Sequence, residues 1–230
     1  MSEAPVIAVD GPSGSGKGTL SRHLAARLGW HLLDSGALYR LVALVTERQG
    51  LEPGDAAHLT AAAALARDLE AAFRTDDAGR ETILLAGEDV TAALRTERCG
   101  NRASRFAAIP EIRSALLELQ RRFRRPPGLV ADGRDMGTVV FPHAELKIFL
   151  TASVEERAHR RLIQLRELGI DANLDKIYAE IRQRDERDRK RAHAPLKPAE
   201  DAVVLDTTSL AVKAVITRVV ELAKRRRLLS

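Results

Sequence analysis

Cysteine, aromatic residues and long apolar runs are all scarce in this chain. Its 230 residues include a single cysteine, Cys99, which excludes an intrachain disulfide and makes a cysteine-rich zinc site unexpected. No apolar run reaches the length of a membrane-spanning helix, and the N-terminus lacks the charged and apolar segments of a secretory signal. The six histidines show no ligand spacing. We therefore expect a soluble, cytoplasmic protein without a membrane partner.

The scarcity of aromatic residues also limits the kind of core. Aromatics make up 3% of the chain and apolar residues 45%, so one sizeable, mainly aliphatic core is expected. The formal net charge is +5. Such a charge fits a nucleic-acid-binding protein, and it fits equally a pocket of arginines for small phosphorylated ligands. Composition does not separate these two classes.

A glycine-rich loop lies between a predicted strand and a predicted helix near the N-terminus. The apolar run Val6–Val9 precedes it, and Leu20, Leu24 and Leu28 follow at helical spacing. Strand, loop and helix in this order are the context of a phosphate-binding loop. Glycines allow backbone N–H groups to turn inward, and the helix N-terminus adds partial positive charge. The loop residues are Gly11, Pro12, Ser13, Gly14, Ser15, Gly16, Lys17, Gly18 and Thr19.

Lys17 is the residue of this loop that can reach the outer phosphates of a nucleoside triphosphate. In the usual pattern a hydroxyl residue follows the lysine directly, whereas here Gly18 intervenes and the hydroxyl comes at Thr19. The loop alone therefore leaves open which hydroxyl would lie nearest a metal ion. The alternative is a flexible turn that binds nothing.

Alternation of short apolar runs with helical patterns predicts an α/β fold. Such alternation gives a parallel sheet with helices on both faces, and ligands bind at the carboxyl ends of the strands. The five predicted strands are Val6–Val9, His31–Leu33, Leu129–Ala131, Leu146–Leu150 and Ala202–Leu205.

The gap between the second and third strands is too long for a simple crossover and predicts an extra lobe. Within it we expect helices over 56–69 and 111–123 and a hairpin. The hairpin strands are 71–75 and 81–86, joined by a turn at 76–79.

An acidic and basic cluster follows the third strand. Asp132 ends the strand, where a carboxylate can bind Mg²⁺ directly or through water. A turn or helix-capping aspartate is the alternative. Arg134 beside it can bind a phosphate with two parallel hydrogen bonds.

The predicted helix over 174–191 carries a face that changes character along its length. Its first half is apolar, and Arg184, Asp188 and Arg191 continue the same face. This pattern predicts either a helix whose second half lines a polar cleft or a solvated, salt-bridged helix end.

A second basic helix is predicted over 155–168, with Arg157 and Arg161 one turn apart. It is either a mobile segment that closes over phosphates or a surface helix stabilised by ion pairs.

Several segments together resemble bacterial cytidylate kinase, a nucleoside monophosphate kinase. The resemblance covers essentially the whole chain in the same order. The matching segments are Gly11–Thr19, Leu32–Arg40, Ala131–Pro142, Arg184–Arg189 and Ala194–Leu196. Gly18 before Thr19 is normal in this family.

The resemblance implies a P-loop nucleoside monophosphate kinase fold with a five-stranded parallel sheet. It implies one domain, with a core at 1–33 and 128–230, a monophosphate-binding lobe at about 34–127 and a lid at about 155–170. The activity implied is phosphorylation of CMP and dCMP by ATP with Mg²⁺, in pyrimidine nucleotide metabolism.

The resemblance also implies a role for each motif residue. Gly11 to Thr19 would bind ATP, with Thr19 and Asp132 at the metal. Ser35, Arg113 and Asp135 would contact cytosine; Ser104, Arg184 and Asp188 the sugar; Arg40, Arg134 and Arg191 the monophosphate. Lys17, Asp132, Arg134, Arg157 and Arg161 would form the catalytic set.

Two other functions remain alternatives at this point. One is a P-loop kinase for another small acceptor, such as UMP or shikimate, and the other is a basic nucleic-acid-binding ATPase. The second would need a basic face outside the cleft and an aromatic stacking platform, which the sequence does not offer. We therefore expect a monomer that binds CMP, dCMP and ATP and no nucleic acid.

Overall fold

Five parallel strands form the sheet of the first of two structural units. This unit spans Met1–Asp34 and Arg121–Ser230, and the second spans Ser35–Gln120. The structure, a computed structural model, describes residues 3–75, 81–167 and 169–229. The predicted turn at 76–79 and residue 168 of the predicted lid lie outside these ranges.

The strands of the first unit lie in the order His31–Asp34, Leu129–Gly133, Val6–Asp10, Leu146–Thr151 and Val203–Asp206, and every neighbouring pair is parallel. This confirms the predicted five-stranded sheet, and it brings the carboxyl ends of all five strands to one edge. Numbered along the chain, the strands are β1 Val6–Asp10, β2 His31–Asp34, β3 Ala71–Thr75, β4 Glu81–Leu85, β5 Glu88–Asp89, β6 Leu129–Gly133, β7 Leu146–Thr151 and β8 Val203–Asp206.

Helices in the first unit cover the sheet and form a pair of their own. The helix after the phosphate loop is flanked by two glycines, Gly16 before its first residue and Gly29 after its last. Both adopt the left-handed conformation, with φ of 93° and 63°. A π-helical turn, Met136–Val140, follows β6. The α-helices of this unit are α1 Lys17–Leu28, α7 Val154–Glu167, α8 Leu174–Lys190 and α9 Val212–Arg225.

The core of the first unit is aliphatic, as the low aromatic content predicts. Side chains of the central strands pack against α1 and α9, and examples are Ile7, Leu24, Ile148 and Val219. A smaller apolar cluster joins α7 to α8.

The second unit combines a small antiparallel sheet with helices. Strand β3 pairs with β4, as the hairpin prediction required. Strand β4 also pairs with the short strand β5, which the sequence did not predict. The helices of this unit are α2 Ser35–Arg48, α3 Ala56–Arg67, α4 Thr91–Leu94, α5 Glu97–Phe106 and α6 Pro110–Arg121. Among the helices in the described ranges, none is long and apolar enough to cross a membrane.

Candidate active site

The phosphate loop begins at the carboxyl end of β1 and runs directly into α1. Gly11 has φ of 146°, and a Cβ there would lie 2.1 Å from the Leu150 carbonyl oxygen of the neighbouring strand. Only glycine fits so close an approach. Gly14 and Gly16 also adopt positive φ, at 78° and 93°. These conformations give the loop the tight turn that the sequence predicts.

Carbonyl groups of Pro12, Ser13 and Ser15 in the loop accept hydrogen bonds from side chains. The Pro12 carbonyl accepts hydrogen bonds from Lys17 Nζ at 2.9 Å and from Ser15 Oγ at 3.0 Å. The Ser13 carbonyl accepts from Arg157 Nη1, and the Ser15 carbonyl accepts from Thr207 Oγ1, each at 3.1 Å. With these carbonyls held, the loop can present its N–H groups and the N-terminus of α1 to an anion.

Lys17 in the loop and Asp132 at the end of β6 are both buried charges. Lys17 Nζ lies 4.0 Å from Asp132 Oδ1. Burial lowers the pKa of Lys17 to about 8, and the neighbouring cations Arg134 and Arg184 lower it further. Burial raises the pKa of Asp132 to about 6; Lys17 opposes this rise, while Asp34 adds to it. Cationic and anionic side chains therefore lie close together at the carboxyl ends of the strands.

Arg134 and Asp188 are brought together although 54 positions separate them in the chain. Arg134 Nε donates to Asp188 Oδ2 at 3.2 Å, and Arg134 Nη1 donates to the Gly133 carbonyl at 3.0 Å. Asp135, next to Arg134, is almost fully buried. The structure thus joins the segment after β6 to the charged half of α8.

The inner face of α8 is enclosed in its second half. Asp188 and Arg191 are buried, and Arg191 Nε donates to the Asp188 carbonyl at 3.3 Å. The exposed ion pair of this helix, Lys190 with Glu186, lies on another face. A solvated helix end therefore does not describe the face that carries Asp188.

Arg157 differs most from its sequence-based expectation. The lid prediction requires a guanidinium free to meet phosphates, whereas the Arg157 side chain is 1% exposed and forms a buried ion pair with Asp185. Its Nε also donates to the Ala152 carbonyl at 3.0 Å. Arg161, one turn further along α7, is half-buried and donates to Gln164 Oε1 at 3.5 Å. Arg157 therefore lies behind the phosphate loop as an anchor.

The other four predicted site residues belong to the second unit. Ser35 Oγ donates to Gln120 Oε1 at 2.8 Å. Arg40 donates to the carbonyls of Leu94 and Thr96. Arg113 lies over the Tyr39 ring, 5.9 Å from its centroid.

Ser104 on α5 is the fourth of these residues and has an unusual environment. Its side chain is buried, and its hydroxyl has no hydrogen-bond partner among the residues that the structure describes. A buried hydroxyl without a partner is costly unless a ligand satisfies it.

Sequence reasoning did not identify three residues that support this site. Asp10 accepts backbone hydrogen bonds from the turn after β6, Asp185 pairs with Arg157, and Thr207 donates to the loop. Asp10 lies in the sequence directly before the first loop glycine, and that adjacency was the available signal. Asp185 lies inside the matching segment Arg184–Arg189, but nothing in the sequence pointed to its partner. Thr207 had no signal, because its partners are distant in the chain.

Asp132 is the carboxylate beside the loop whose position suits a metal ion. In the described part of the chain, no group of three or more His, Cys, Asp or Glu side chains could hold a metal ion. Magnesium bound with phosphates uses only one or two carboxylates, and Asp132 offers one beside Lys17. The Asp132 carboxylate therefore suits a Mg²⁺ ion that is bound together with a nucleotide.

Comparison with known proteins gives one consistent family. A family model described as cytidylate kinase matches residues 7–225. The cytidylate kinase of Stutzerimonas stutzeri (strain A1501) is 56% identical over 223 residues, which cover 96% of each chain. That of Aeromonas hydrophila subsp. hydrophila is 54% identical, covering 97% of this chain and 95% of its own. That of Salmonella choleraesuis (strain SC-B67) is 52% identical, covering 97% and 96%.

Proposed function

Because the chain belongs to the cytidylate kinase family and phosphorylates CMP and dCMP with ATP, we propose a specific role for each group described above. The loop Gly11–Thr19 binds the phosphates of ATP through its N–H groups, and Lys17 binds the phosphoryl group in transfer. Arg134 neutralises charge between donor and acceptor. The other functions considered from sequence, a kinase for another acceptor and a nucleic-acid-binding ATPase, are not favoured.

One observation carries this proposal: cations crowd one another at the strand ends. Burial lowers the pKa of Lys17 most, and repulsion from Arg134 and Arg184 lowers it further, while Asp132 and Asp34 act in the opposite direction. Such crowding is unfavourable in the free protein and is relieved when polyanionic nucleotides bind. Charges fixed in advance stabilise the transferring phosphoryl group without reorganisation at the moment of reaction.

We propose Mg²⁺ as the metal of this reaction. Asp132 and the Thr19 hydroxyl would hold it, directly or through water, together with phosphate oxygens of ATP. A bound Mg²⁺ supplies charge neutralisation on the phosphates. The support for this assignment is the position of Asp132, whose Oδ2 faces the start of α1 at Gly18.

We assign residues to the acceptor by the chemistry of each side chain. The unsatisfied hydroxyl of Ser104 supports a ligand there, and the carboxylates of Asp135 and Asp188 can accept from an amino group and a sugar hydroxyl. We assign Ser35, Arg113 and Asp135 to cytosine; Ser104, Arg184 and Asp188 to the sugar; and Arg40, Arg134 and Arg191 to the monophosphate. The segment predicted at about 34–127 would be the monophosphate-binding lobe.

This chemistry requires no dedicated general base. The attacking oxygen of the acceptor phosphate is already ionised, so the protein must position two anions in line and neutralise their repulsion. Exclusion of water prevents hydrolysis of ATP. We propose that Arg161 contributes to closure of the lid predicted at about 155–170, whereas Arg157 acts as an anchor of the loop.

We further propose that the protein works as a cytoplasmic monomer. The buried, unpaired Cys99 suits a reducing compartment.

Replacement of Lys17 tests the proposed transfer site. Lys17→Met should lower kcat for CMP-dependent ADP release by about 10²- to 10³-fold or more, since a preorganised charge at the reacting group is lost. Lys190→Met removes an exposed lysine from α8 and serves as the control. Near-wild-type kcat in Lys17→Met, with the melting temperature unchanged, would contradict the assignment.

A further inference from the structure

Asp10, the last residue of β1, uses both carboxylate oxygens to hold the turn after β6. Oδ1 accepts a hydrogen bond from the Met136 N–H and Oδ2 from the Gly137 N–H, each at 2.8 Å. The side chain is buried. Asp10 therefore links the strand that leads into the phosphate loop to the segment that follows Arg134 and Asp135.

The two N–H groups belong to a turn that does not cap itself. Met136–Val140 is π-helical, and its N-cap residue, Asp135, makes no side-chain capping hydrogen bond. The Asp135 carbonyl accepts from Val139 and Val140, which closes the turn. The first N–H groups of any helix lack partners within it, so a carboxylate from β1 fills this need.

Two fixed points enclose the short segment that carries Arg134 and Asp135. On one side, β1 and β6 pair as far as Asp10 and Gly133. On the other side, the Asp10 carboxylate fixes the backbone at Met136 and Gly137. The two residues between these points are those assigned above to the monophosphate and the base.

The surroundings leave little freedom at this contact. A Cβ on Gly137 would lie 3.1 Å from Lys147 Cδ and 3.4 Å from Asp10 Oδ2. The Lys147 ammonium is bonded elsewhere, to the Pro142 carbonyl and to Asp201. The carboxylate is thus held mainly by the two amide groups, and the charged side chains that influence it most are Asp135 and Lys17.

We propose that Asp10 is a positioning residue, which keeps Arg134 and Asp135 in register with the phosphate loop that starts at Gly11. The inference rests on the proposed acceptor roles of Arg134 and Asp135. Asp10 itself touches no substrate. Its action is on the geometry with which the acceptor meets the donor phosphates.

Asp10→Asn tests this role, because an amide oxygen can accept from only one of the two N–H groups and the NH₂ group faces the other. At about pH 8 Asp10 is ionised, because this pH lies above its raised pKa of about 7. Loss of a hydrogen bond to a charged group corresponds to about ten- to hundredfold in affinity, so the Kd for CMP should rise by that factor. The Kd for ATP should change by less than about threefold, since the hydrogen bonds from Arg157 and Thr207 to the loop remain. Calorimetric titration of each nucleotide measures both constants.

Two further variants separate positioning from general destabilisation. Val219→Ala shortens a buried side chain on α9, and it should leave the Kd for CMP unchanged. Gly137→Ala would place a Cβ 3.1 Å from Lys147 Cδ and 3.2 Å from Lys147 Cγ, so it crowds the same turn without altering the Asp10 carboxylate. It should reproduce the selective loss of CMP affinity even if Asp10→Asn does not fold. An equal loss of CMP and ATP affinity, or no loss of either, overturns the proposal.

A double-mutant cycle with Arg134→Ala locates the effect. If Asp10 acts through the segment, Asp10→Asn should weaken CMP binding much less in the Arg134→Ala background, whereas simple additivity overturns the proposal. A normal Kd for CMP in Arg134→Ala alone would instead contradict the proposed role of Arg134. The selective effect of Asp10→Asn would then still decide whether Asp10 positions Asp135.

Discussion

Arg157 donates hydrogen bonds to both carboxylate oxygens of Asp185, at 3.0 and 2.5 Å, and the two side chains are 1% and 5% exposed. The same guanidinium donates to the carbonyls of Ser13 in the phosphate loop and Ala152 after β7. One buried ion pair therefore connects the loop, the end of a central strand and α8. This arrangement makes Arg157 an anchor for the loop.

Removal of one partner of this pair should strongly destabilise the fold. Asp185→Ala leaves a buried guanidinium without its counter-charge, for which a loss of about 3–5 kcal/mol in the free energy of unfolding is expected. Urea denaturation measures it. The neighbouring substitution Glu186→Ala removes a carboxylate from an exposed pair and should have no measurable effect. Equal stability of the two variants would contradict the anchoring role.

Stability should depend on pH through Asp10. Burial raises the pKa of this carboxyl from 3.8 to about 7 in the folded state. At a pH between these two pKa values, the folded protein holds a proton that the unfolded chain has released. The contribution of Asp10 to the free energy of unfolding is therefore fully present below about pH 4 and is lost as the pH rises through about 7. Each pKa unit corresponds to about 1.4 kcal/mol, which predicts a total change of a few kcal/mol.

Comparison with Asp10→Asn isolates this dependence, because the variant has no carboxyl to titrate. The free energy of unfolding of the wild type, minus that of the variant, should fall steadily between about pH 5 and pH 7. A difference that is independent of pH would show that the Asp10 pKa is not raised.

Replacement of Asp188 should weaken the binding of the acceptor CMP and leave the binding of the donor ATP unchanged. Asp188→Ala removes a buried carboxylate that bonds Arg134, and it should raise the Kd for CMP by about ten- to hundredfold. The Kd for ATP should stay near its wild-type value. Asp175→Ala, at an exposed position in the first turn of the same helix, is the matched control. If only the melting temperature changes, Asp188 does not bind the acceptor.

The sheet and the loop could be predicted from sequence because their signals are local. The runs around Val6–Val9 and Leu129–Ala131 are apolar throughout, as expected of strands buried on both faces, and both lie inside observed strands. The loop signal is also local, since glycine positions and a helix follow one strand directly. Burial of Asp188 was one of the two interpretations left open for its helix, and the structure selects it.

Long-range pairing of charges could not be predicted in the same way. Arg157 and Asp185 are separated by 28 positions on different helices, and arginine is so frequent in α7 that no pattern singles out the buried one. The turn Met136–Val140 contains β-branched residues that favour strands, yet it is π-helical. Its first N–H groups donate to a carboxylate from β1, which contributes no signal to the sequence of the turn itself.

Base recognition provides the most direct test of the account. Cytosine offers an amino donor where uracil offers a carbonyl acceptor, and the Asp135 carboxylate can bind only the first. A site built from such polar groups rejects a mismatched partner, because its own groups remain unpaired. Purines should fail on size as well.

The decisive measurement is kcat/KM for CMP, dCMP, UMP and AMP with the wild type and with Asp135→Ala. We predict efficient use of CMP and dCMP, much poorer use of UMP and essentially none of AMP. In the variant, kcat/KM for CMP should fall and the ratio of kcat/KM for CMP to that for UMP should decrease. The Kd for ATP should be unchanged. Equal use of UMP and CMP by the wild type, or an unchanged ratio in the variant, would contradict the assignment of Asp135 to the base.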